Sequence, residues 1–273
     1  MKSDQMKLEI PKFKPTGGKL MSLKLSLCIE MIFNEYPFLE RVEKAAEAGV
    51  EAVEFWGWDQ KELKKFDKKR KASGLDLAAF TGSKTPLTDP QKTEQAVEDI
   101  KKAVKTADDL DAKNVIITVG QEQENVERKI QKENIIRVLK EVASEAEDKK
   151  VTLVLEPLNT AVDHQGYFLD SSYEGYEILD EVGSDSVKLL FDIYHQQITE
   201  GNIIDNISDH IDYIGHFHLA DVPGRQEPGT GELNYCNIFS AIADLDYDRY
   251  VGCEFRPSGD SMDAVKKTLN LIN

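Results

Sequence analysis

The chain lacks any run of eighteen apolar residues, which argues against a membrane-spanning helix. It also lacks an excess of positive charge. Lys and Arg number 34 against 50 Asp and Glu, and a net charge of −16 repels a phosphate backbone. No arginine cluster interleaved with aromatics offsets this, so nucleic acid is not expected as a partner. Cysteine is scarce: Cys28, Cys236 and Cys253 have no paired spacing. Two of them lie in apolar runs, where a reduced thiol packs as a small hydrophobe, and a reducing cytoplasm is the expected compartment. Residues 1–22 have five lysines against Asp4 and Glu9 but no apolar core of a secretory signal. They read as a solvated tail, with Met21 as an alternative start. No linker or composition break follows, and residues 23–273 read as a single domain.

What the sequence does have is 40% hydrophobic residues in 273, enough for a large core. Short runs rich in Val, Ile, Leu and Phe alternate with stretches of helical periodicity. The runs are "LKLSLCIEMIF" near residue 25, "EAVEFWGW" at 51–58, "LDLAAFTG" at 75–82 and "NVIITVG" at 114–120. Then come "VTLVLEPLN" at 151–159, "VKLLFDIYH" at 187–195, "IDYIGHFHLAD" at 211–221 and "RYVGCEFRP" at 249–257. Between them, "PFLERVEKAAEAG" has Pro37 at its start and Gly49 past its end, as helix termini prefer. Thr88 or Asp89 before Pro90 predicts a helix near 91–109, and Asn125 predicts the start of another reaching about 149. Eight such units predict a closed (β/α)8 TIM barrel, an α/β fold. An open doubly wound sheet is the weaker alternative, because no glycine-rich phosphate loop follows the first run.

In such a barrel, function gathers at the carboxyl ends of the strands. The last four runs place Glu156, Asp192, His218 and Glu254 there. Alternation sets Glu156 on one face with Val154 and Thr152, His218 above His216, and Glu254 with Gly252 while Cys253 turns to the helices. Three carboxylates converging on one point repel unless a cation lies among them. Such a donor set with a single imidazole suits Mg2+ or Mn2+, with Co2+ also admissible. A lone acid at a strand end is commonly solvated or paired with a lysine; four in register favour a divalent metal.

Other residues have two readings each. His195 is expected in the loop above the sixth strand, either at a substrate hydroxyl or on the surface. Arg225, in the turn-rich "VPGRQEPGTGEL", either clamps a substrate or forms a surface ion pair, and Arg256 is judged alike. His164 in "NTAVDHQGYFL" is a further candidate, and His216 reads as a satisfied interior histidine. Glu54 is expected to face inward beside Trp56 and Trp58, supporting the site or touching substrate, with the tryptophans walling the pocket. The charge-dense "DQKELKKFDKKRK" at 59–71 reads as a solvated helix face.

The stretches "LVLEPLN", "GYFLDSS", "EILDEVGSDSVKLLFDIYH", "IGHFHLADVPGRQEPGTGELNY", "VGCEF" and "MIFNEYPFLERVEKAAEAGVEAVEF" resemble hydroxypyruvate isomerases over nearly the whole chain after the tail. That family lies within the xylose isomerase-like TIM barrels, which include ketose epimerases similar to D-tagatose 3-epimerase. The resemblance implies metal ligation by Glu156, Asp192, His218 and Glu254, with Glu156 and Glu254 as the acid and base pair. It implies substrate contact by His195 and Arg225. The implied reaction converts hydroxypyruvate to tartronate semialdehyde through an enediolate. His218 stands where many hydroxypyruvate isomerases have glutamine, which resembles the epimerase set, and "FWGW" replaces a Phe-Leu-Phe-Pro type run.

A ketose 3-epimerase or other sugar isomerase is thus the alternative activity. An endonuclease IV-like repair enzyme is disfavoured by the charge and by only five histidines, and a non-catalytic sugar-binding barrel is a further rival. The expected partner is a small carbonyl acid or sugar, with neither nucleic acid nor membrane; the sequence leaves a homo-oligomer open.

Overall fold

The computed structural model describes residues 23–272. The expected tail at 1–22, with Met21, lies outside the described residues. Eight parallel strands close in sequence order into one barrel, with β8 pairing back onto β1 through Leu25 and Val251. The elements run β1 (Lys24–Cys28), α1 (Phe38–Ala48), β2 (Ala52–Phe55), α2 (Leu63–Ala72), β3 (Asp76–Thr81), α3 (Thr93–Leu110), β4 (Ala112–Ile117), α4 (Arg128–Asp148) and β5 (Thr152–Leu155). They continue α5 (Ser172–Val182), β6 (Val187–Asp192), α6 (Ile193–Thr199), α7 (Ile203–His210), β7 (Ile214–Leu219), α8 (Tyr235–Asp244), β8 (Tyr250–Cys253) and α9 (Ser261–Leu269).

Helix α1 begins after Pro37 and ends at Gly49, whose φ of 91° suits a residue without Cβ. It buries Val42, Ala45 and Ala48, one stripe at helical spacing. Before α3, the Asp89 side chain accepts the Gln91 N–H and caps a short 3-10 turn at Pro90–Lys92. Helix α4 begins three residues later than Asn125 suggests. The buried Gln131 side chain reaches back, accepting from Gln123 N and donating to the Gln123 and Val126 carbonyls, so the turn before the helix closes on it. The charge-dense α2 is largely solvated but hides one cation. Arg70, 3% exposed, donates to the Leu75 and Leu110 carbonyls and to Asp67.

Alternation sorts the strand residues. Leu25, Leu27, Val53, Phe55, Leu153, Leu155, Phe191, Phe217, Leu219, Val251 and Cys253 join the main core between barrel and helices. Each fully buried Leu or Phe there contributes about 1.5–3 kcal/mol. The inward residues divide by side of the barrel. Ala79, Ile116, Val154 and Leu190, from β3 to β6, form a separate apolar cluster. Opposite them, β1, β2, β7 and β8 place Ser26, Glu54, His216, His218 and Gly252 in mutual contact.

Candidate active site

The site lies where β5 to β8 hand over to loops, bordering that polar half. Asp192 is both the last residue of β6 and the cap of α6. Its Oδ1 accepts the N–H groups of Tyr194 at 2.8 Å and His195 at 3.2 Å, which leaves Oδ2 for the site. His218 is the register partner of both Asp192 and Gly252. Glu156 and Glu254 follow directly on β5 and β8. Their N–H groups donate to Ile117 and Leu219 of the neighbouring strands, so each still follows the sheet. Tyr167 ties the Glu156 carbonyl to Val119 N through its hydroxyl.

Glu156, Asp192, His218 and Glu254 each offer one ligand atom, all within 4.8 Å of one another, and all four residues are buried. His218 Nδ1 lies 3.6 Å from Glu156 Oε1 and 3.5 Å from Glu254 Oε2, and this buried nitrogen has no hydrogen-bond partner among the described residues. A nitrogen aimed between carboxylate oxygens is the environment a divalent ion fills, so the donor set fits one.

Burial pushes the Glu156 carboxyl up to about 7; the nearby His218 opposes this, while Glu254 and Asp192 add to it. Burial also raises Glu254, but His218 and Arg225 outweigh it and hold the group well below the usual carboxylate range. His218 is lowered by burial yet ends well above its ordinary value, because Glu254 and Glu54 surround it. The two glutamates thus stand in opposite protonation environments.

His195 lies in the first turn of α6, not in a loop, and is fully buried. Its Nδ1 lies 3.2 Å from Asn159 N and 2.7 Å from Asn159 Nδ2, so Nδ1 is the acceptor and Nε2 carries the proton. Nε2 is 3.6 Å from Asp192 Oδ2 and has no hydrogen-bond partner among the described residues, which leaves this donor for a ligand. Burial, outweighing Asp192, holds His195 down at about 4, a neutral imidazole at pH 7. His164 packs against this ring at 5.2 Å between centroids.

Arg225 donates to Glu254 Oε2, lies 3.7 Å from Asp192 Oδ2, and has its guanidinium 5.2 Å from the Tyr194 ring centre. Its loop is hung on one buried carboxylate. Asp221 accepts five backbone N–H groups, from Val222, Gly229, Thr230, Gly231 and Leu233. Glu227 accepts from Ser258 N and Oγ, and Arg256 N donates to the Arg225 carbonyl, so the β7 and β8 loops are bonded to each other.

Glu54 and Arg256 stand outside the four-donor cluster, and Glu54 faces inward as expected. It is 1% exposed, one layer below His218, accepting from Ser26 Oγ, His216 Nε2 at 3.0 Å and His218 Nε2 at 2.9 Å. Arg256 is exposed and lines a cavity of about 460 Å3 with Met31, Asn34 and Glu35. The expected pairing of Trp56 with Trp58 fails, because β2 ends at Phe55 and Gly57 turns the chain at φ 55°. Trp56, 43% exposed, donates its indole N–H to Glu254 Oε1 at 2.8 Å, whereas Trp58 packs under Lys84.

Asn159 and Asp221 escaped the reading from sequence. Asp221 ahead of a Pro-Gly turn is a local signal for backbone capping, and Asn159 closes the "LEPLN" motif. Ser26, a hydroxyl within an apolar strand, was the trace of a buried polar partner.

Known proteins share this architecture. Residues 42–273 match the family described as Xylose isomerase-like TIM barrel. Hydroxypyruvate isomerase of Escherichia coli is 32% identical over 245 residues, 86% of this chain and 94% of that protein. A 2-oxo-tetronate isomerase of Cupriavidus necator is 32% identical over 237 residues, 84% of this chain and 91% of that protein. A crystal structure titled AP endonuclease, family 2, from Brucella melitensis superimposes with a TM-score of 0.84 at 28% identity, covering 90% of this chain and 97% of that one. D-allulose 3-epimerase from Methylomonas sp. shares the fold, with a TM-score of 0.80 at 20% identity over 92% of this chain and 97% of that one. The chain belongs to the xylose isomerase-like TIM barrel family. Within that family it is an isomerase, of the intramolecular oxidoreductase type.

Proposed function

We propose that the protein is a metal-dependent isomerase of a small hydroxy carbonyl acid, with hydroxypyruvate to tartronate semialdehyde as the reaction. The observation carrying this reading is the convergence of Glu156, Asp192, Glu254 and the unpartnered Nδ1 of His218. Those four residues would hold Mg2+ or Mn2+, with Co2+ also accommodated. The ion supplies Lewis-acid polarisation of the carbonyl and charge balance for the three carboxylates.

One of Glu156 and Glu254 removes a proton from the hydroxyl-bearing carbon, and the resulting enediolate is reprotonated at the neighbouring carbon by the other. The hydroxyl proton moves to the former carbonyl oxygen, so atoms balance. His195 Nε2–H donates to a substrate oxygen, and its neutral ring can do so without competing for the ion. Arg225 receives the substrate carboxylate, a role an acidic protein must assign to a cation. Trp56 holds Glu254 from one side while Arg225 holds it from the other, fixing the carboxylate in reach of the reacting carbon.

The net charge of −16 disfavours a DNA substrate, although the Brucella melitensis structure is named an AP endonuclease. The experiment is an assay of the metal-stripped protein, with and without added Mn2+, on hydroxypyruvate, 2-oxo-tetronates and a panel of ketoses in D2O. Metal-dependent deuterium incorporation into hydroxypyruvate with formation of the aldehyde acid is expected. Turnover of ketoses alone moves the assignment to a sugar epimerase or isomerase. Absence of exchange into every candidate removes the enzymatic assignment.

A further inference from the structure

We infer that Glu54 is a positioning residue that assigns the two nitrogens of His218 their jobs, and that His216 holds Glu54 to that task. The inference rests on the proposed metal site. A carboxylate can only accept hydrogen bonds, so the Nε2 atoms of both His216 and His218 must donate to Glu54. With Nε2–H committed downward, Nδ1 is the only nitrogen His218 can turn to the three carboxylates above. Ser26 Oγ adds a third donor, so each of these three contacts of the buried Glu54 is one a carboxylate accepts.

The packing is closed around this unit. A Cβ on Gly252 would overlap Glu54 Oε1 and lie 2.7 Å from His218 Cδ2, so only glycine lets β8 pass. The ligand atoms of Glu54, His216 and His218 also lie within 4.8 Å of one another, close enough to hold an ion of their own. Both imidazole Nε2 atoms and Ser26 Oγ are instead at hydrogen-bond distance from Glu54, and hydrogen bonding is the better reading of the contacts.

Glutamine in place of Glu54 has the same shape but one acceptor and one donor. It can satisfy only one imidazole in its present state; the other must move its proton to Nδ1. The test measures Mn2+ affinity and stoichiometry of the metal-stripped full-length protein by calorimetry, with the metal-free melting temperature beside it. Wild type should bind one ion per chain. Glu54→Gln should weaken binding by about 10–100-fold with the metal-free melting temperature nearly unchanged. Adding His216→Phe to Glu54→Gln should recover part of the lost affinity, because the amide oxygen is then free to accept from His218. Such a recovery is not expected of a residue that merely fills space.

Should Glu54→Gln melt far below wild type, Ser26→Ala carries the test, with a loss of about two- to tenfold in affinity expected and unchanged affinity contrary. Equal binding by wild type and a stable Glu54→Gln overturns this assignment alone, as does a double variant no tighter than Glu54→Gln. Two ions per wild-type chain also overturn it, since the second would replace the hydrogen bonds. A wild type that takes up no Mn2+ removes the proposed metal site and this assignment together.

Discussion

The two halves of the barrel interior share one strand geometry and have opposite chemistry. From β3 to β6 the inward positions hold Ala79, Ile116, Val154 and Leu190, which touch one another and nothing polar is required of them. From β7 through β8 to β2 the corresponding positions hold His216, His218, Gly252, Ser26 and Glu54, bonded into one unit. Each buried polar group costs about 1–3 kcal/mol when left unpaired, so the polar half is stable only because its members satisfy one another. The apolar half packs beneath the ends of β5 and β6 that present Glu156 and Asp192, and the polar half fixes His218 beneath the same site. Position at a strand end grants access to the site; the layer beneath determines what that position can do.

The comparison breaks if variants in the two halves act alike. Glu254→Gln should reduce kcat by about 10²–10⁴-fold in a steady-state assay on hydroxypyruvate, with the fold and melting temperature retained. Near-normal turnover would remove Glu254 from the chemistry. Leu190→Ala, in the apolar half, should do the converse. Chemical denaturation should show a loss of about 2–5 kcal/mol, while deuterium exchange into substrate by the folded enzyme changes little. A gentler probe is pH. Metal binding requires an ionised Glu156, whose carboxyl is pushed up to about 7, and a deprotonated Nδ1 on His218, which stands well above its ordinary value. Protons compete for both, so Mn2+ affinity should rise with pH throughout. The dependence should approach about two protons below pH 7 and about one above it in calorimetric titrations. A flat profile would place the ion elsewhere.

Much of this was legible in the residue order. Glu156, Asp192, His218 and Glu254 could be found because each ends an apolar run, and a run's end is local information. The barrel itself followed from the alternation of such runs with helical stripes. What escaped depended on distant partners or on single backbone dihedrals. Glu54 meets His216 and His218, 162 and 164 residues away, and no local pattern announces that layer. Strand alternation predicted Trp58 beside Trp56 until Gly57 turned the chain. His195 reads as a loop residue because β6 passes straight into α6 with Asp192 as strand end and helix cap at once. Arg70 lies hidden in a run of charge whose other members are largely solvated, since nothing in the run marks which cation finds the carbonyls of Leu75 and Leu110.

The central claim is that four strand-end donors share one divalent ion. The most direct test is anomalous diffraction at the manganese edge from crystals of the full-length protein soaked in Mn2+. The account predicts a single peak within about 2.0–2.6 Å of Glu156, Asp192, Glu254 and His218 Nδ1. No peak among those atoms, or one lodged between Glu54 and His216, would contradict it.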